Sequence, residues 1–517
     1  MHETSSIGSV TTEIHHHRMS ELHTHEETPE LYDVLRAAQD AGLVGEEETA
    51  LTVFTAMIRG GLVIMLGPSR VGKTFTVQCM SKPIPENDIY EMSTTLSPTA
   101  LYYAADEINK CRVHVYQDLA SLPEHVEAVL KATAEGLPAS REITDVTSGE
   151  TIRMTIDPPD CIIVGIASDN ESVDINDFPE LRNRGLIVSN DASQEQTERI
   201  LDRQADEMSG LYERQLTDEQ LEWIQEYIGS IPVSRYARED SLGSIENIPG
   251  GRPLREQDPV PTHFTEARDD YKRLNKFIES VCLFHYQDRM EIIHDGAPTL
   301  LVTPIDVWYG MKVFGEQMIM SALNLREIDL VILELLREEA TAMTVSKIQA
   351  EVRQRGQGYN ITDRDVHSSL KSMKTKAYVD VNQADNPQTW YATGFASVVD
   401  HPAGIDYTKL VDRTEEIAHE VLEPEIAEEY IERYCRGEGL IATDPITGEQ
   451  VNITEDTSFQ EALDEAEEEI EDVLNTPLWG TDESADESEG NEDEEVEIPV
   501  GDFGTVEGSE AGQGTLM

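Results

Sequence analysis

Positive charge is scarce in this chain. Its 39 Lys and Arg stand against 102 Asp and Glu in 517 residues, a formal net charge of −63 at pH 7. Cysteine is scarce too: Cys79, Cys111, Cys161, Cys282 and Cys435 show no paired spacing, which argues against a structural zinc or a disulfide framework and for a reducing compartment. No apolar run approaches the roughly 20 residues that a membrane-spanning helix needs, and no signal-peptide pattern opens the chain. The expectation is a cytoplasmic protein without a membrane partner.

The charge deficit runs through the folded-looking part as well as the tail, Arg outnumbers Lys, and aromatics are only 6%. A salt-filled cytoplasm explains this pattern. At molar salt the Debye length falls to about 3 Å, so dense negative charge costs little self-repulsion and keeps the surface hydrated. An ordinary acidic protein with a disordered tail would concentrate the charge; the spread favours an extremely halophilic host.

Residues 1–29 are polar and His-rich and read as a flexible terminus. Residues 30–192 open with two helices, Leu31, Val34 and Leu35 sharing one face of the first, and then alternate short apolar strands with helices. That is the pattern of an α/β domain with a mainly parallel sheet. Residues 193–323 are mostly helical, with Thr303 capping and Pro304 beginning a helix. Residues 324–395 form a small separate unit and 396–436 a helical segment. Residues 437–517 hold no Lys or Arg and read as an acidic disordered tail.

The strongest local signal is "GLVIMLGPSRVGKTFTV". Gly67, Pro68, Ser69, Arg70, Val71, Gly72, Lys73 and Thr74 fit the phosphate-loop pattern, with an apolar strand before and a helix after. Backbone N–H groups at a helix N-terminus cradle phosphates, a lysine at this spacing reaches the β/γ oxygens, and a following Thr hydroxyl ligates Mg²⁺. ATP and Mg²⁺ are the expected cofactors. About forty residues on, a buried strand ends in Gln117-Asp118, where P-loop ATPases usually carry Asp-Glu. The first of that pair normally holds the magnesium shell; the second polarises the attacking water. Next, "ITDV" and "TIRMTI" alternate around "TSGE" as a β-hairpin. "CIIVGIA" is a buried strand ending at Ser168-Asp169-Asn170, and "FPELRNRGLIV" places Arg182 and Arg184 before another strand.

With these motifs, residues 46–322 resemble the AAA+ ATPases, in particular the branch with a hairpin before the sensor-1 strand, which includes the minichromosome-maintenance helicases and replication ATPases of mobile elements. "LSPTALYY", "RNRGLIV" and "ARDDYKRLNKFIESVCLFHYQDR" carry the likeness beside the phosphate loop. The resemblance implies a parallel-sheet core with a helical lid. It gives the sensor-1 role to Ser168 or Asn170, the arginine finger to Arg184 (Arg182 in second place), sensor 2 to Arg268, and Mg²⁺ to Thr74 and Asp118. A finger acting in trans implies a homo-oligomer, such as a hexameric ring. The Gln117-Asp118 pair departs from the family, and so does a hairpin tip without lysine.

The unit at 324–395 reads as three helices and a β-wing: "NLREIDLVILELLREE", "TVSKIQAEVRQRG", a helix opened by Thr362, then "AYVDV" and "TWYATG". That is the winged helix-turn-helix pattern, whose third helix enters the DNA major groove. Between Thr344 and Tyr378 stand seven basic and three acidic residues. Phosphate contact explains that local reversal of the chain's charge. Lys347, Arg364, Ser368, Lys371, Lys374 and Lys376 are the candidate contacts to duplex DNA. The whole reads as a replication motor or initiator; the other reading is a nucleotide-gated DNA-binding switch with little turnover.

Overall fold

The computed structural model describes residues 28–92, 100–117, 124–144, 151–167, 178–236, 242–260, 267–323, 325, 327–338, 342–354, 362–376, 378–382, 387–393 and 405–456. Among them no helix is long and apolar enough to cross a membrane.

Helices α1 (Leu31–Asp40) and α2 (Glu47–Arg59) precede strand β1 (Gly61–Gly67), after which come α3 (Lys73–Met80) and β2 (Ile89–Met92). Short helices α4 (Ala100–Tyr103) and α5 (Ala105–Ile108) lead to β3 (Val113–Tyr116) and α6 (Glu124–Ala134). Strands β4 (Ala139–Thr144) and β5 (Thr151–Ile156) pair antiparallel with each other, as the alternating pattern there predicts; the tip of that hairpin lies outside the described residues. Strand β6 (Cys161–Ala167), helix α7 (Pro179–Arg184) and β7 (Leu186–Ser189) complete the core.

Strands β1, β2, β3, β6 and β7 form one sheet in the order β2-β3-β6-β1-β7, every neighbouring pair parallel. Because side chains alternate along a strand, β1 serves two cores. Val63 and Met65 pack with α1, α2 and α3 on one face. Leu62, Ile64 and Leu66 pack with α4 to α7 and the hairpin on the other. A strand buried on both faces reads as an unbroken apolar run, which is why "LVIML" carries no alternation.

Helices α8 (Gln194–Ser209), α9 (Asp218–Ser230) and α10 (Val233–Tyr236) follow, then β8 (Ser244–Glu246), α11 (Gly251–Glu256) and α12 (Ala267–Phe284). Strands β9 (Glu291–His294) and β10 (Ala297–Leu301) join β8 in a small sheet before α13 (Pro304–Leu323). Helices α12 and α13 belong to the same core as α1 to α3, with Phe277 stacked on Phe314 at 4.4 Å. Asp306 locks the start of α13: it accepts from the Thr303 N–H at 2.9 Å and holds the buried Arg289 guanidinium through two nitrogens.

The small unit comprises α14 (Glu327–Glu338), β11 (Met343–Thr344), α15 (Val345–Gln354), α16 (Asp363–Thr375), β12 (Val379–Asn382) and β13 (Thr389–Ala392). Its strands form a sheet in the order β11-β13-β12, over a core of its own built on Ile332, Ile348, Leu370 and Tyr378. Thr362 and Asp365 close a capping box at the start of α16.

One boundary differs from the sequence reading. Residues 437–456, assigned to the acidic tail, are folded. After α17 (Tyr407–Val421) and α18 (Pro424–Tyr434), strands β14 (Ile441–Thr443) and β15 (Gln450–Asn452) form a hairpin; Ala442 on it and Ile453 just after it are buried in the main core. The Trp308 indole donates to Asp456 at 2.7 Å and the Tyr430 hydroxyl to the Val302 carbonyl at 2.7 Å. Absence of cations masked a turn in which Asp444 accepts from the N–H groups of Ile446 and Thr447. Gly448, at φ 73°, lies so close to Tyr32 that a Cβ would meet the ring at 2.5 Å. The rest of the tail and the His-rich N-terminus to residue 27 lie outside the described residues.

Candidate functional site

The phosphate-loop residues connect β1 to α3. Arg70 at φ 72° and Gly72 at φ 108° bend the loop, and at Gly72 a side chain would be strained in any surroundings. Gly72, the N-cap of α3, offers no side-chain cap, as suits a helix N-terminus that takes an anionic ligand. The Lys73 ammonium donates to the Gly67 and Pro68 carbonyls, each at 2.7 Å, folding back over its own loop. Thr74 is exposed at the start of α3. An uncapped helix N-terminus, an ammonium and an exposed hydroxyl form a donor set suited to oxyanions, so these residues fit the phosphates of ATP with their Mg²⁺.

Beside the loop opens a cavity of about 780 Å³ bounded by Lys73, Thr74 and Gln117 together with Glu91, Val115 and Gly165. Gln117, directly after β3, is exposed and its side-chain amide donates to Glu91 on β2. Glu91 was not singled out from the sequence. Only the register of two strands 24 residues apart brings it to Gln117, and no local pattern carries that.

Asp118, Ser168 and Asn170 lie outside the described residues; β6, which leads to the latter two, ends at Ala167 in register with Gly67. Arg182 is half-buried on α7. Arg184 is also half-buried and forms an ion pair with Glu135, which follows α6 in the same chain. Arg268 is exposed near the start of α12.

A polar network flanks α3. Asn190, after β7, donates to Thr76 at 2.8 Å, and the Asp191 N–H donates to Glu46 at 2.6 Å. Desolvation pushes the Glu46 carboxyl up to about 7, against the opposing pull of that N–H and of Asn190.

In the small unit Arg364, His367, Ser368, Lys371 and Thr375 are exposed along α16, at spacings that place them on one side of the helix. Lys347 is exposed on α15. Lys374 does not share that surface freely: it pairs with Asp380 on β12. Lys376 is half-buried at the end of α16.

Residues 51–227 match the family model described as the MTBMA_p00010 P-loop domain, about a third of the chain. No curated protein matches. Among solved structures, a candidate ATPase from Cytophaga hutchinsonii is 12% identical, with 53% of this chain and 82% of that one covered and a TM-score of 0.32. NtrX from Brucella abortus, solved in complex with ATP, is 13% identical, with 47% and 64% covered and a TM-score of 0.23.

Proposed function

We propose that the domain at residues 51–227, which matches a P-loop domain model, binds nucleotide and is an AAA+-type ATPase acting on DNA, as a replication helicase-like motor or initiator working as a homo-oligomer. The observation that carries the reading is the phosphate loop after β1, a strand set between β6 and β7 in a parallel five-stranded sheet, with β3 and the Gln117 that follows it lining the same cavity as Lys73.

In this reading the first-turn N–H groups of α3 bind the phosphates. Lys73 exchanges its two loop carbonyls for phosphate oxygens, and the Thr74 hydroxyl faces the metal. Thr74 and Asp118 would hold Mg²⁺, which when bound would supply positive charge beside the phosphates. Asp118 orients the attacking water, Ser168 or Asn170 positions it, and Arg184, with Arg182 as second candidate, completes the site of a neighbouring subunit. Arg268 contacts nucleotide from the lid. The small unit is a winged helix that places the exposed side of α16 on duplex DNA.

The test is ATP turnover by the full chain in molar KCl, with and without duplex DNA. Stimulation by DNA, and its loss in Asp118→Asn, supports a DNA-coupled ATPase. A second reading has one observation behind it: Gln117 is neutral, which should slow hydrolysis more than binding. Tight ATP binding with no turnover, DNA present, would favour a nucleotide-gated DNA-binding switch. The halophilic assignment predicts loss of helical circular dichroism on dilution from 3 M to 0.1 M KCl, as screening weakens.

A further inference from the structure

Position 117 is where a P-loop ATPase needs a carboxylate, and here it holds an amide. The register of the sheet places an acid next to it. Glu91 on β2 stands opposite Val115 on β3, and Met92 opposite Tyr116. Side chains alternate, so Glu91, Val115 and Gln117 share one face of the sheet. On that face Gln117 donates its amide hydrogen to the Glu91 carboxylate. Both side chains are exposed to the cavity that Lys73 and Thr74 border. Among the described residues no cation pairs with Glu91, although Lys82 lines the same cavity.

An exposed strand-end carboxylate held by an amide, and without a cation of its own, is a ligand-ready oxygen group. Mg²⁺ bound with nucleotide keeps several waters and asks for only one or two protein carboxylates. We propose that Glu91 supplies the carboxylate for the magnesium shell that Gln117 lacks, with Gln117 acting as the positioning residue that fixes its orientation. The acid has moved one strand outward in the sheet, and the amide left in its place holds the acid at the cavity. The proposal rests on the nucleotide-binding reading of the phosphate loop.

The experiment measures binding rather than turnover. Affinity of the full chain for a fluorescent ATP analogue is determined in molar KCl, first with EDTA and then with Mg²⁺. The wild type should bind about 10-fold or more tightly with Mg²⁺, and Glu91→Gln should retain the metal-free affinity while reducing the Mg²⁺ gain to about 2-fold or less. Placing the acid back on β3, in the double variant Glu91→Gln with Gln117→Asp, should recover most of the gain. A wild-type Mg²⁺ gain in Glu91→Gln would overturn the proposal, leaving the nucleotide site intact. Loss of metal-free binding in Glu91→Gln, unrecovered in the double variant, would also count against it, since Glu91 would then be needed for the shape of the cavity. No binding of the analogue by the wild type would remove the nucleotide reading and this inference together.

Discussion

Arg184 is ion-paired with Glu135, so the arginine expected to reach a neighbouring subunit is held within its own. The two side chains remain 32% and 37% exposed, and a pair so placed is worth about 0–1 kcal/mol, little enough to be exchanged for a phosphate across an interface. Arg184→Ala should therefore bind ATP normally and turn it over about 10³-fold more slowly. Mixing Arg184→Ala with Lys73→Ala should restore part of the activity, because one of the two kinds of mixed interface joins the intact loop of Arg184→Ala to the intact arginine of Lys73→Ala. No complementation would place the role of Arg184 inside its own subunit.

Lys73 contributes charge to the loop, and its two described carbonyl contacts, to Gly67 and Pro68 at the end of β1, lie outside the two hydrophobic cores. Lys73→Ala should keep its circular dichroism and melting behaviour while ATP binds about 10–100-fold more weakly, the loss of one charge-assisted contact. Titration calorimetry showing unchanged affinity would remove the phosphate loop from the mechanism.

On α16 the pairing of Lys374 with Asp380 leaves Arg364 and Lys371 as the stronger candidates for phosphate. Reversing both, in Arg364→Glu with Lys371→Glu, should weaken duplex binding and reduce the slope of log affinity against log salt by about two. Reversing Lys374 alone should have a smaller effect on the slope. Equal binding by the double variant across a salt series would make this unit a protein-docking module.

Glu46 provides a pH dependence that can be read without activity. Its carboxyl is raised from 4.5 to about 7 by burial, so the folded chain binds the proton more tightly than the unfolded chain. Its contribution to stability therefore falls as pH rises between about 4.5 and 7 and is constant above that. Glu46→Gln should match the wild type near pH 4.5 and exceed it at pH 8 by on the order of 2–3 kcal/mol in denaturant titrations at fixed salt. A difference independent of pH would mean that the Glu46 carboxyl titrates alike in the folded and unfolded chain, so that burial does not raise it.

What the sequence determined by itself was local. A loop of eight consecutive residues carries its own backbone chemistry, so the phosphate loop, the strand before it and the helix after it were legible as a string. The capping residues Thr303 and Thr362, the apolar face of α1 and the hairpin at β4 and β5 were legible for the same reason, since each depends on residues a few positions apart. The tertiary structure decided what lies across strands and between distant segments. Parallel register brought Glu91 to Gln117, chain reversal brought Arg184 to Glu135, and Asp380 on β12 drew Lys374 away from the exposed side of α16. It also recovered residues 437–456 from an assumed tail. Charge composition sums over a segment, whereas burial of Ala442 and Ile453 depends on a hydrophobic surface that residues more than a hundred positions earlier provide.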